Sequence, residues 1–211
     1  MSTHSQINQG QRRKNDDYFT PISMIDQLYE IADQYNLLDY NKKVLEPACG
    51  EGHMVRKLQE RFKNIIWSDK NYTYNNSKKV DFILNSFVYD LENVDYIITN
   101  PPFSLFSDFV ITSKMVALEK IIFLGKLDFL TGLKRYNNIY SNNNCYNLKY
   151  VWIFVRKPDL RYKIRDDGMY PCAIDGYGWF IWENGYEGKP MFDWINNQRY
   201  IIGNSKMENR D

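Results

Sequence analysis

Residues 44–52 read VLEPACGEG. A short apolar run meets an acidic residue and a proline, then breaks into a turn carrying Gly50 and Gly52. Glycine takes left-handed backbone angles without a steric cost and lets a ligand come close to the main chain. A buried strand that ends in such a turn and feeds a helix is the opening of a nucleoside-binding βαβ unit. The same letters also fit an ordinary tight turn, so the flanking chain has to decide.

The flanks alternate strand and helix. Upstream, YFTPISMIDQLYEIADQYNLL puts Pro21 at a helix start and Ile25, Leu28, Tyr29, Ile31 and Ala32 at near-helical spacing. Downstream, MVRKLQERF resumes the helical period, NIIWSD reads as a second strand, VDFIL as a third and VDYIIT as a fourth. LFSDFVITSKMVALEK is a helix, IIFLG a fifth strand, and the aromatic-rich YVWIFV and YGWFIWE two more. The order predicts an α/β fold: one domain with a doubly wound, Rossmann-like, mostly parallel sheet of seven strands. Past Gly125 the pattern loosens. Asn137, Asn138, Asn142, Asn143 and Asn144 suit a mobile loop, and RKPDLRYKIRDDGMYPCAIDG is a long basic-aromatic connection. Residues 1–17 are expected to be a mobile N-terminal segment and 18–203 the domain, with substrate loops at about 127–148 and 157–176 and a tail at 204–211. No internal repeat stands out.

Composition narrows the function. Hydrophobic residues at 44% argue against disorder. Lysine and arginine number 27 against 26 acidic residues, so any nucleic-acid contact must use local patches and not global charge. Cys49, Cys145 and Cys172 show no paired ligand spacing, and His4 and His53 are the only histidines, which argues for a reducing cytosol, no metal site and no histidine-driven nucleophile. No run approaches the ~18 apolar residues of a membrane span, and MSTHSQINQGQRRKNDD lacks a signal-peptide core. A cytoplasmic location without membrane contact is expected.

Asp69, closing NIIWSD, lies near the ~20-residue offset at which an acidic residue on the second strand meets ribose hydroxyls. A dinucleotide site normally carries a third small residue where this chain has Val55, which disfavours NAD. EPACGEG instead resembles motif I of class I S-adenosylmethionine-dependent methyltransferases. That resemblance implies S-adenosylmethionine as cofactor, with Glu46, Pro47, Ala48, Gly50 and Gly52 lining its amino-acid end. DDYFTP is similar to the N-terminal motif X of the amino-methyltransferases, implying Tyr18, Thr20 and Pro21 at the same end. VDFIL resembles the Asp-Phe motif that meets the cofactor's adenine through Asp81 and Phe82, with Asp90 in VYDLENVDY a rival. Lys70 departs from the family, which more often has an apolar contact there.

Residues 99–103, TNPPF, follow the apolar run DYIIT. Proline cannot donate to a sheet ladder, so a strand-ending turn is the plain reading. The motif also resembles the Asp/Asn-Pro-Pro-aromatic motif of methyltransferases that act on planar amino nitrogens. In the order X, I, IV, over about residues 18–125, the chain resembles gamma-order DNA adenine-N6 methyltransferases. GWFIWENGYEGKPMFDWI is similar to the short stand-alone type of phages and mobile elements, implying a host-cell cytoplasm. The amine of adenine is a poor nucleophile, because its lone pair is delocalised into the ring. Two acceptors aimed at its hydrogens, the Asn100 side-chain oxygen and the Pro101 carbonyl, would stabilise the growing positive charge. Pro101 and Pro102 fix the local φ angles, and Phe103 offers a face to an extruded base.

The polymer must be read from the loops. Lys126, Lys134, Arg135 and Lys149 surround the asparagine-rich stretch. Arg156, Lys157, Arg161, Lys163 and Arg165 interleave with Tyr162 and Tyr170. Basic residues among aromatics suit phosphate and base contact. Lys126, Lys134, Arg135, Arg161, Lys163 and Arg165 are therefore the expected substrate-binding residues and DNA the expected partner, with a homodimer or partner subunit open. The chain lacks the large target-reading domain of many sequence-specific DNA methyltransferases. An RNA adenine-N6 methyltransferase would share every catalytic residue, and a catalytically silent binding subunit would share the fold. Protein glutamine methylation is disfavoured by Phe103 and the basic loops.

Overall fold

The computed structural model describes residues 20–72, 74–141, 145–156 and 175–197. Helix α1 (Ile22–Tyr35) starts at Pro21, whose φ of −57° suits a helix entry and whose carbonyl accepts from the Met24 N–H. It ends at Asn36, which takes a left-handed φ of 51° and donates back to Ala32. Its apolar stripe, Ile25, Leu28, Tyr29 and Ala32, is buried as the periodicity requires.

Along the chain follow β1 (Lys43–Glu46), α2 (His53–Leu58), β2 (Asn64–Asp69), β3 (Lys78–Lys79), α3 (Phe82–Asn85) and β4 (Tyr96–Thr99). Then come α4 (Phe106–Val116), β5 (Lys120–Lys126), α5 (Leu133–Arg135), β6 (Tyr146–Phe154), β7 (Tyr177–Asn184) and β8 (Met191–Ile195). They form one sheet in the order β3-β2-β1-β4-β5-β7-β6-β8. Strands β3, β2, β1, β4 and β5 are parallel, and β7 inserts antiparallel between β5 and β6. The chain steps outward from β1 to β2 and β3 and returns on the other flank at β4. Crossovers therefore diverge at the carboxyl ends of β1 and β4, which is where an open α/β sheet leaves a crevice.

The core is aromatic on one side of the sheet. The Phe106 ring stacks on Phe129 with centroids 4.0 Å apart and meets Phe123 and Phe180 edge-on. It can lie so close to the sheet because Gly125 is beneath it, where an added Cβ would fall 2.7 Å from the ring. Trp179 on β7 is fully buried and donates its Nε1–H to the Met24 carbonyl at 3.1 Å, fixing α1 onto the sheet.

The architecture agrees with the sequence reading, and three local expectations are corrected. VDFIL is not a strand: the edge strand β3 is Lys78–Lys79, and Asp81 starts α3 as its N-cap, accepting from the Leu84 N–H. An eighth strand, β8, adds in parallel to β6 at the sheet edge. Residues 127–141 are not an open loop, while Asn142, Asn143 and Asn144 lie outside the described residues. Leu127–Leu130 forms a 3₁₀ turn, and α5 runs into a π-helical turn over Tyr136–Tyr140 that buries Ile139. The Tyr140 hydroxyl donates to the Phe129 carbonyl and Lys114 to the Ile139 carbonyl, so this stretch packs against α4. Residues 1–17 and 204–211, and the connection over 157–174, lie outside the described residues. Among the described residues, no helix is long and apolar enough to cross a membrane.

Candidate active site

A cavity of about 610 Å³ opens at the carboxyl ends of β1, β2 and β4. That volume is in the range of small-molecule sites. One wall is the turn after β1. Gly50 (φ 50°) and Gly52 (φ 78°) are both left-handed, which lets the chain reverse and enter α2 within a few residues. The turn is held from β2: Ser68 accepts from the Cys49 N–H at 3.0 Å, and Asp69 Oδ2 accepts from the Gly50 N–H at 2.9 Å. Asp69 Oδ1 accepts from the Asn71 and Tyr72 N–H groups at 2.7 and 3.0 Å. Asp69 is thus both a cavity-lining acid and the fastener of two turns.

Glu46, at the end of β1, is 1% exposed, and its Oε1 accepts from Thr99 Oγ1 and from the Ala48 N–H. Burial pushes its carboxyl up to about 8, against the two hydrogen bonds. Burial also pushes the Cys49 thiol up to about 12 and His53 below its ordinary value, so both line the site in neutral form near pH 7. Pro47, Ala48 and Thr20 complete this end.

The opposite end is apolar. Phe82, Ile83, Leu84, Leu105 and Phe109 line it. Asp81 stands at its edge, paired with Lys70 at 2.8 Å, and that partner holds its carboxyl below the usual range. Lys70 thus serves as the counter-ion of Asp81, and α3 and α4 supply the apolar wall. Of the two rivals Asp81 lines the cavity, whereas Asp90 is exposed and does not.

Asn100 and Pro102 line the cavity where β4 ends, beside Ser104. Pro101 is buried behind the wall and does not line the cavity, and Pro102 opens a 3₁₀ turn over Phe103–Leu105. Phe103 corrects the expectation of an open stacking face. It is 8% exposed, does not line the cavity, and packs against Tyr177 and Phe129 with centroids 5.7 and 6.0 Å away, while Lys126 Nζ lies 5.3 Å from its ring. Pro21 and Gly52 also stand off the cavity wall. Pro21 begins α1, and Gly52 is packed by the Tyr74 ring, which an added Cβ would meet at 2.4 Å. Tyr18 lies outside the described residues.

The basic residues divide. Lys126, at the carboxyl end of β5, pairs with Asp175 at 2.6 Å. Lys134 is exposed, and Arg135 donates to the Asp128 and Thr131 carbonyls while lying over the Phe129 ring. Lys149 belongs elsewhere. It pairs with Glu183, which also pairs with Lys120 at the start of β5, at the sheet end away from the cavity. Arg161, Lys163 and Arg165 lie outside the described residues. Sequence reasoning missed His53, Met54, Tyr72 and Asp108 on the wall. Only His53 had a local signal, its place next to the glycine turn.

No family model and no curated protein matches the chain. Solved structures do match. A Listeria monocytogenes protein assigned as a class I S-adenosylmethionine-dependent methyltransferase aligns with a TM-score of 0.61 at 14% identity, over 93% of this chain and 72% of its own. The type IIG restriction endonuclease BpuSI aligns with a TM-score of 0.61 at 13% identity, over 95% of this chain and 30% of its own length. An RNA methyltransferase assigned in Pyrococcus horikoshii gives 0.55 at 15% identity, over 83% of this chain and 88% of its own. The fold is that of class I methyltransferases.

Proposed function

We propose that the chain is an S-adenosylmethionine-dependent methyltransferase acting on the exocyclic N6 amine of adenine in DNA. The observation that carries this reading is one cavity shared by the Glu46–Gly50 turn, Asp69, Asn100 and Pro102. A strand-ending turn with no chemistry would not need to face that cavity.

The residues fit the cofactor. Its amino-acid end suits the polar turn of Glu46, Ala48 and Gly50 beside Thr20. Its adenine suits the wall of Phe82, Ile83 and Phe109, with Asp81 at the edge to accept from the amino group. A carboxylate has about four acceptor positions, and backbone N–H groups fill three at Asp69, so one remains for a ribose hydroxyl. When bound, S-adenosylmethionine supplies an electrophilic methyl group.

The Asn100 side-chain oxygen and the Pro101 carbonyl accept hydrogen bonds from the two N–H groups of the target amine and stabilise positive charge on its nitrogen. The Pro101 carbonyl is preorganised because both prolines fix φ before substrate arrives. The methylated nitrogen then sheds a proton to water, so no histidine base is called on. Phe103, clamped between Phe129 and Tyr177, steadies the corner from behind. Lys126, Lys134 and Arg135, on the segment that leaves the same end of the sheet, meet phosphates.

DNA is favoured by the motif order and by the likeness to a restriction endonuclease. RNA is the second reading, supported by the likeness to an RNA methyltransferase, and it would use the same catalytic groups. The test is methyl transfer from labelled cofactor to duplex DNA, single-stranded DNA, RNA and protein in parallel, with nucleoside analysis. N6-methyladenine in DNA is the expected product. Label only in RNA would overturn the polymer, and label nowhere would leave a silent subunit.

A further inference from the structure

Thr99 has no part in the roles assigned so far, yet it joins the two halves of the site. It is the last residue of β4, next to Asn100, and its hydroxyl donates to Glu46 Oε1 at 2.5 Å. Glu46 is the last residue of β1, the parallel neighbour of β4. The Ala48 N–H donates to the same oxygen at 3.0 Å. Both side chains are buried, Glu46 lines the cavity and Thr99 does not. Glu46 Oε2 makes no hydrogen bond among the described residues.

We propose that Thr99 is a positioning residue: its hydroxyl favours the anionic form of Glu46 that the cationic amino-acid end of the cofactor selects on binding, and ties the glycine turn to the strand end that carries Asn100. This rests on the methyltransferase reading. The physical reason is the balance at Glu46. Burial favours its neutral form, and the Thr99 hydroxyl is the largest influence acting the other way, ahead of the Ala48 N–H. A neutral Glu46 would lose its attraction for an ammonium group. Valine at 99 is close to threonine in size and puts a methyl group in place of the hydroxyl, so the donor to Glu46 is lost.

Other titratable groups around the carboxyl bear on the same balance. Asp69 at the end of β2 disfavours its charge. Cys49 in the turn, His53 on α2, Asp108 on α4 and the Lys70–Asp81 pair line the same cavity. All are unchanged by substitution at 99, so a difference between variants reports the Thr99 hydroxyl.

The first measurement needs no ligand: the titration of the Glu46 carboxyl followed by ¹³C NMR in glutamate-labelled protein, with Glu46→Gln to assign the signal. Thr99→Val is expected to raise the midpoint by about one pH unit, the effect of losing one donor to a charged acceptor, and Thr99→Ser to restore it. An unchanged midpoint in Thr99→Val overturns the proposal. Thr99→Ala replaces Thr99→Val under the same criteria if the latter does not fold.

The second measurement is the affinity of S-adenosylhomocysteine against pH by calorimetry. Thr99→Val should bind about tenfold more weakly at pH 7 and converge on the wild type only above about pH 10, a one-unit displacement of the curve. A loss equal at every pH would mean that Thr99 is structural only, which also overturns the proposal. Wild-type protein that binds no S-adenosylhomocysteine would refute the methyltransferase reading, and the ligand role of Thr99 with it, while the NMR titration would still judge the hydrogen bond.

Discussion

Removing the Asp69 carboxylate should damage the fold and the cofactor site together. Its two oxygens accept three backbone N–H groups, from Gly50, Asn71 and Tyr72, at 2.7 to 3.0 Å. Each such bond to a charged acceptor contributes about 1.5–3 kcal/mol where water is excluded. The adjoining cavity lets water reach some of the orphaned donors in Asp69→Ala, so about 1 kcal/mol per bond is the fairer figure, or about 3 kcal/mol in all. In a domain of this size, 1 kcal/mol moves the melting temperature by about 2–4 °C, so a fall of roughly 6–12 °C is expected. The Gly50 turn loses its anchor in the same step, and S-adenosylhomocysteine affinity should fall at least about thirtyfold, which corresponds to roughly 2 kcal/mol. Thermal unfolding without ligand and calorimetric titration measure the two effects separately. A melting temperature within about 2 °C of wild type would refute the fastening role. A large loss of stability with intact affinity would refute the ribose role.

Two further substitutions probe neighbouring features. Gly52→Ala places a Cβ in the Tyr74 ring at a φ of 78° and should cost about 2–4 kcal/mol by denaturant unfolding. Tyr74→Ala in the same chain should recover the steric part only, and a tolerated single substitution would contradict the close packing. Glu46 makes stability fall with pH. Folded Glu46 keeps its proton up to about 8, while the unfolded chain releases it near 4.5, so between these values the folded state binds more protons. The stability this group contributes is fully present below about 4.5 and lost by about 8. Without ligand, Glu46→Gln should therefore gain on the wild type across that window, by a few kcal/mol at about one pH unit per 1.4 kcal/mol. Parallel stability curves for the two proteins would contradict a buried, proton-holding Glu46.

The strand–helix alternation of residues 20–126 was legible because apolar runs with periods of 2 and 3.6 are what burial selects. The misread elements lacked that signal. Lys78–Lys79 is a short, polar edge strand, and an apolar run marks nothing there. VDFIL looked like a strand because its helix is only one turn long, and the cue that decides, an aspartate capping the Leu84 N–H, is a local hydrogen bond and not a periodicity. Glu46, Asp69, Asp81 and Asn100 line the cavity as the sequence led one to expect, because each belongs to a short stretch whose pattern is local. Phe103 and Lys149 do not. Whether a ring or an ammonium faces a ligand depends on Tyr177, Phe129 and Glu183, which come from distant parts of the chain. Asp108 and Tyr72 join the wall for the same reason, through the packing of their elements.

The central claim is that the Asn100–Pro102 corner acts on the target amine and not on the cofactor. Single-turnover methyl transfer to DNA and cofactor affinity, measured side by side on Asn100→Ala, test it most directly. The account predicts a rate loss of at least about 10²–10³, the scale for deleting one preorganised charge-stabilising group, with affinity changed less than about twofold. Transfer at near the wild-type rate, or equal losses of rate and affinity, would contradict it.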